Sequence, residues 1–173
     1  VGAVDLVPQM TAAAARRLAA ASVHGEAVTA DVATADLISV AGQGQPFDAV
    51  HSRFGLMFFP EPQRALANIF AALRPGGRLA ASVWQHLDRN PWMALTNSTA
   101  TQILGIDRPA LPAAGGPGPF SMADREATAE LFTRAGFVDV EFESVNSPFV
   151  FEGDGTAAAE RVLSAGPLGG AFL

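Results

Sequence analysis

The 173 residues contain no cysteine and no lysine, and each absence removes a class of chemistry. Without Cys there is no disulfide, no Cys-ligated zinc and no thiol nucleophile, a composition that fits a cytoplasmic protein. All eleven cationic side chains are Arg, set against seventeen acids for a net charge of -6. No basic stretch is clustered, so binding to a nucleic-acid backbone is not expected. With so much Ala, the exclusive use of Arg fits GC-rich coding as well as any need for bidentate contacts. No apolar run is long enough to span a bilayer, and no basic-then-apolar start resembles a signal peptide, so no membrane partner is expected. The three His residues, His24, His51 and His86, lack a short ligand spacing, and a metal site is not expected.

What is present is an apolar chain, 49% hydrophobic, of a length that suits one buried core and a single domain spanning 1–173. Its organising stretch runs from Phe47 to Trp84. Phe47-Asp48-Ala49-Val50, entered through Gly42, Gly44 and Pro46, predicts a buried strand. Pro60 and Pro62 bracket a helix start, with Glu61 placed to complement the helix N-terminus. Ala65, Leu66, Ile69, Phe70 and Leu73 recur at helical spacing, Arg74 falls in the expected last turn, and Pro75-Gly76-Gly77 stops the helix. Leu79 to Trp84 then predicts a second strand. Strand, helix and strand over this length form a βαβ unit with parallel strands.

The rest of the chain follows the same alternation. Val1 to Leu6 predicts a strand ending at Asp5, and Pro8 opens a helix with Met10, Ala14, Leu18 and Ala21 on one face. Glu26 to Ala30 predicts the next strand, with Asp31 at its end and Asp36 able to cap a helical turn at Leu37 to Val40. Leu56 to Phe59 is apolar and is expected to pack beneath the following helix. Pro91 to Leu104 reads as a helix, and Asp107 to Phe120 is rich in Pro and Gly. Ser121 to Ala135 reads as a helix capped by Ser121 or Asp124 and ended by Gly136. Phe137 to Val145 alternates apolar and polar residues and turns at Ser147-Pro148 into Phe149 to Phe151, which predicts an edge hairpin. Thr156 to Ser164 reads as the start of a terminal helix. Val1 already reads as strand interior and Leu173 follows an uncapped helix, so both are expected to be cut ends of a longer protein.

The ordered set of F-D-x-V strand, L-R-P-G-G-x-L turn and strand ending in Trp84 resembles the class I S-adenosylmethionine (SAM) dependent methyltransferases. It is most similar to the small-molecule branch that includes ubiquinone/menaquinone-biosynthesis C-methyltransferases. The resemblance implies an α/β, Rossmann-like fold: a mostly parallel sheet, helices on both faces and an antiparallel last strand. It also implies SAM as cofactor, S-adenosylhomocysteine as product and a small-molecule methyl acceptor.

Residue by residue, the family carries an acid at the end of its second strand for the ribose hydroxyls, in a pattern such as D-x-S-x-x-M. Asp5, Leu6 and Met10 match, with Val7 in place of Ser, and all three are expected at the cofactor; the alternative for Asp5 is a helix cap. Asp31 and Val32 match the family's adenine acid and the backbone NH after it, the alternative being an ordinary loop acid. Ser52 and Arg53, beyond the strand at Phe47, are expected to line the methionine end and the acceptor pocket. His51 and His86 fall at expected strand ends and are candidate general bases, each also readable as a structural His. Residues 86–120 look like the family's variable substrate lid.

The family's strongest signature, acid-x-G-x-G-x-G after its first strand, is absent. Gly42-Gln43-Gly44-Gln45 has two spaced glycines but precedes a strand instead of following one. The fold is therefore expected to lack its first strand and loop. The alternative functional reading is a non-catalytic remnant or interaction module; a nicotinamide-dependent dehydrogenase shares the acid after the second strand but fits the R-P-G-G turn poorly.

Overall fold

The structure is a computed structural model that describes residues 1–104, 116–148, 150 and 154–157. Among the described residues nine helices and strands follow one another in the expected order. They are β1 (Gly2–Asp5), α1 (Pro8–Ala20), β2 (Glu26–Thr29), α2 (Leu37–Ala41), β3 (Phe47–Arg53), α3 (Pro62–Ala72), β4 (Leu73–Ser82), α4 (Pro91–Leu104) and α5 (Arg125–Arg134). Both α1 and α3 begin with Pro inside their first turn, where the missing NH costs nothing. Asp36 caps α2 through the Ser39 amide, and Asp124 caps α5 through the Ala127 amide.

The strands form two parallel pairs instead of one sheet. β1 pairs with β2 from Gly2↔Glu26 to Asp5↔Thr29. β3 pairs with β4 at Phe47↔Leu73 and again from Ala49↔Arg78 to Arg53↔Ser82. No ladder joins one pair to the other among the described residues. Helices cover both faces of the first pair. Thr11 of α1 meets Thr29 of β2 hydroxyl to hydroxyl at 2.8 Å, while Gly2 lies against Ala41 of α2 so closely that a Cβ there would strike its backbone. The second pair turns Val50 and Leu79 toward the core and leaves Ala49, His51 and Arg53 exposed on its other face.

Three expectations are corrected here. β3 runs three residues past Val50, because the ladder to β4 continues to Arg53↔Ser82, so His51, Ser52 and Arg53 are strand residues and not a loop. Arg74 is not in the last helical turn. α3 ends at Ala72, Leu73 already pairs with Phe47, and residues 74–77 loop out of the ladder with Gly76 at φ +75. Arg74 Nε there donates to Asp48 Oδ1 at 2.5 Å, an exposed pair contributing about 1 kcal/mol or less. The third concerns the antiparallel last strand. Residues 137–148 form no strand, although their alternation is real. Asp139 takes a left-handed φ of 54, which breaks the pleat, and Val138 and Val145 stay exposed, with no ladder to join among the described residues. Phe149 and 151–153 lie outside the described residues, as do 105–115 and most of the expected terminal helix.

The core is built around α3. Leu66 and Met57 are fully buried, with Leu56, Ile69, Ala72, Leu37, Met122 and Ala135 around them. Leu56 and Met57 thus pack as expected, while Phe58 remains exposed. Phe70 meets Phe137 edge-on at 5.1 Å, and Gly136, at φ +107, leaves room for the Phe70 ring that a Cβ would hit. No helix among the described residues is long and apolar enough to cross a membrane.

Candidate functional site

Within each pair, parallel pairing puts the carboxyl ends of the two strands side by side, where open α/β sheets hold ligands. Asp5 ends β1 and Asp31 follows β2, with the Ala30 amide donating to the Asp5 carbonyl at 3.1 Å between them. Each acid closes a turn through one carboxylate oxygen. Asp5 Oδ1 accepts from the Val7 amide and Asp31 Oδ1 from the Ala33 amide, both at 2.8 Å. The turn-closing alternative is therefore real for both residues. It occupies one oxygen each, and an ionised carboxylate can still accept through the other. Asp36 is separated from this pair, being spent on the α2 cap, where the Ser39 hydroxyl and amide hold its carboxyl below the ordinary value.

The other expected cofactor residues divide. Val32 is half-buried and packed on the core, which fixes the turn that carries Asp31. Leu6 and Met10 are 68% and 57% exposed at the start of α1, so Met10 does not join the buried face expected of it. Thr11 takes the buried place, donating to the Pro8 carbonyl as well as meeting Thr29. On β3, alternation puts Ser52 on the inner side with Val50, while His51 and Arg53 point to the exposed side. His51 and Ser52 therefore lie on opposite faces of one strand.

His86 lies beyond the end of β4, and it lines a cavity of about 550 Å³. Val83, Trp84, Met122 and Phe142 supply apolar wall; Arg89 and Arg125 bring cationic groups. Trp84 is fixed on two sides, stacked on Phe54 at 4.3 Å and edge-on to Trp92 at 5.8 Å. Its amide is directed at the Met57 sulfur at 3.2 Å. Buried Asn90 ties down the loop that presents His86, donating to the Gln85 and His86 carbonyls at 2.9 and 3.0 Å. Gly118 and Ser121 both donate to the Met57 carbonyl, at 2.9 and 2.7 Å, so the end of the Pro/Gly-rich segment is fastened to the core. Among the described residues no group of three or more His, Asp or Glu could hold a metal ion.

Sequence reasoning missed two residues that hold these parts in place, Asn68 and Asn90, and foresaw the packing of Met57 but not the bonds its carbonyl accepts. Asn68 reaches from α3 to the turn after Asp31. A signal did exist, since Asn inside an apolar helix competes with the backbone and is placed there at a cost.

A family model described as a methyltransferase domain matches residues 1–81, which run from β1 almost to the end of β4. The match includes Asp5, Asp31, Ser52 and Arg53, and it supports methyl transfer as the general chemistry, SAM being the cofactor that this family generally uses. No curated protein matches the chain.

Proposed function

We propose that the chain is the greater part of a class I methyltransferase that moves a methyl group from SAM to a small-molecule acceptor. The single observation that carries this reading is the methyltransferase-domain match over all four strands, with Asp5 and Asp31 at adjacent strand ends inside it. Asp5 would accept from the ribose hydroxyls, and Asp31 with the Val32 amide would read the adenine edge. These residues fit the adenosine half of the cofactor, because each carboxylate keeps an oxygen beyond the one that closes its turn.

When bound, SAM supplies an electrophilic methyl on a sulfonium, so the protein's task is positioning in a water-poor pocket. The cavity walled by Trp84, Met122 and Phe142 would seat the acceptor, and the segment 86–120, which contributes His86 and Arg89 to the cavity lining, would serve as its substrate lid. Where the acceptor must lose a proton, His86 is the better candidate than His51, because it faces that cavity while His51 projects from the uncovered side of β3. The motif resemblance favours the quinone-biosynthesis type of small acceptor.

The separation of the strands into two pairs supports a second element of the reading, that a further strand with a glycine-rich loop belongs between β1 and β3. The methionine end of SAM would rest on that loop. The test is a calorimetric SAM titration of the 173-residue chain beside a form extended through the upstream coding sequence. We expect micromolar binding by the extended form and roughly millimolar or weaker binding by the short one, several backbone hydrogen bonds being lost. Micromolar binding by the short chain would remove the missing loop from the account. No binding by either would favour a non-catalytic module.

A further inference from the structure

Asn68 sits in the middle of α3, on the helix that carries the core, and its side chain reaches a distant part of the chain. Its Nδ2 donates to the Val32 carbonyl at 2.6 Å and to the Ala35 carbonyl at 2.8 Å. One amide has two hydrogens, so both are spent on the turn that follows β2. That turn is already closed by its own bonds. The Ala35 and Thr34 amides donate to the Asp31 carbonyl at 2.8 and 3.1 Å, and the Ala33 amide donates to the Asp31 carboxylate. What those bonds leave open is the pose of the turn relative to the rest of the molecule. Val32 packing on the core supplies part of that pose, but an apolar contact is non-directional. Asn68 supplies direction, since it grips the turn at both of its ends. Being half-buried, it does so where water competes less for the carbonyls.

We propose that Asn68 is a positioning residue for purine selectivity: it holds the 31–35 turn so that the Asp31 carboxylate and Val32 amide meet the amino-bearing edge of adenine together. This rests on the cofactor assignment proposed above. An acceptor and a donor read one heterocycle edge only when their spacing and tilt are held to a few tenths of an ångström, which a freely tilting turn cannot do. Asn68 itself touches no ligand. Its loss should therefore damage discrimination between purines before it damages chemistry.

The experiment uses the form that binds cofactor in the titration above and two ligands: S-adenosylhomocysteine, and its analogue with inosine in place of adenosine, which presents an oxo group where adenine has its amine. Calorimetry on wild type and Asn68→Ala is paired with unfolding midpoints and with kcat at saturating cofactor. We expect Asn68→Ala to weaken the adenine ligand about tenfold, to weaken the inosine ligand little, and to leave kcat unchanged, a loss on the scale of one or two neutral hydrogen bonds. Asn68→Asp, which sets an acceptor against two carbonyls, should narrow the preference further. A purely structural role would weaken both ligands by the same factor, and that result overturns the proposal. So does an unchanged adenine preference in a folded variant. If Asn68→Ala does not fold, Asn68→Ser, which keeps a donor too short to span both carbonyls, carries the same comparison. A wild-type protein that binds neither ligand would sink the cofactor assignment and this inference together; one that prefers adenine while the variants keep that preference would sink only the role of Asn68.

Discussion

In the β3–β4 half of the molecule Leu56, Met57, Leu66 and Ile69 are all at most 3% exposed, whereas the β1–β2 half brings only Thr11, Leu37 and Ala41 below one tenth. The strands differ in the same way. β3 extends over seven residues and β4 over ten, but β1 and β2 over four each. The half with the deeper core carries the cavity and His86; the thinner half carries the two acids assigned to the nucleoside. Rigidity and ligand chemistry are thus distributed unequally, and the thin half borrows its position from the other through Val4, Val32 and the Asn68 amide. Elements with few buried contacts are the ones expected to open locally, which would suit the cofactor surface proposed for this half.

The largest effect that would break this comparison is on stability. Leu66→Ala should cost about 2–5 kcal/mol, since a fully buried side chain leaves a cavity that a packed helix cannot fill. Val4→Ala, in half-buried β1, should cost only about 1 kcal/mol. Urea unfolding measures both, and equal costs would mean that the halves are not packed to different depths.

Next in size is an effect on binding alone. In the form of the chain that binds SAM, Asp5→Ala should weaken binding by about 1.5–3 kcal/mol, the range for hydrogen bonds to a charged group, with little change in unfolding midpoint. Asp31→Ala should weaken it less, because the neighbouring Val32 amide remains. Calorimetry that finds Asp5→Ala binding like wild type would remove Asp5 from the site and leave it as a turn residue.

The smallest effect sharpens the comparison at the α2 cap. The Ser39 hydroxyl and then the Ser39 amide lower the folded pKa of Asp36 below its ordinary value of 3.8, while the unfolded chain keeps that value. The cap therefore contributes stability that is fully present above the unfolded pKa and is lost as pH falls through the lower folded one. Asp36→Asn should be less stable than wild type at about pH 6, and the gap should narrow steadily below about pH 4. A gap that stays constant over that range would mean that the charge on Asp36 adds nothing to the cap.

Much of the fold could be read from local chemistry, and the failures have a common cause. Helix starts at Pro8 and Pro62, the cap at Asp124, the apolar face of α3 and the parallel βαβ order all follow from residues within a few positions of one another. Phe137 to Val145 had as clear a period as any strand, yet formed none, because alternation says which face would be buried and not whether a neighbouring strand is there to bury it. Asp5 and Asp31 could be placed beside each other because strand ends are visible in sequence. His51 and His86 could not be told apart, since the end of β3 was set by its ladder to β4 and not by its own residues.

The amino-acid sequence by itself determined the order of elements from β1 to α5, the Pro helix starts, the Asp caps and which acids stand at the ends of the first two strands, all being short-range consequences of side-chain shape and backbone hydrogen bonding. Only the tertiary structure decided that the strands divide into two pairs, that Ser52 and His51 face opposite ways, that His86 borders a cavity and that Asn68 grips the turn after Asp31. Those outcomes depend on which groups far apart in the chain meet: an Asn inside an apolar helix marks Asn68 as unusual, but nothing local to it names the carbonyls thirty-three and thirty-six residues away.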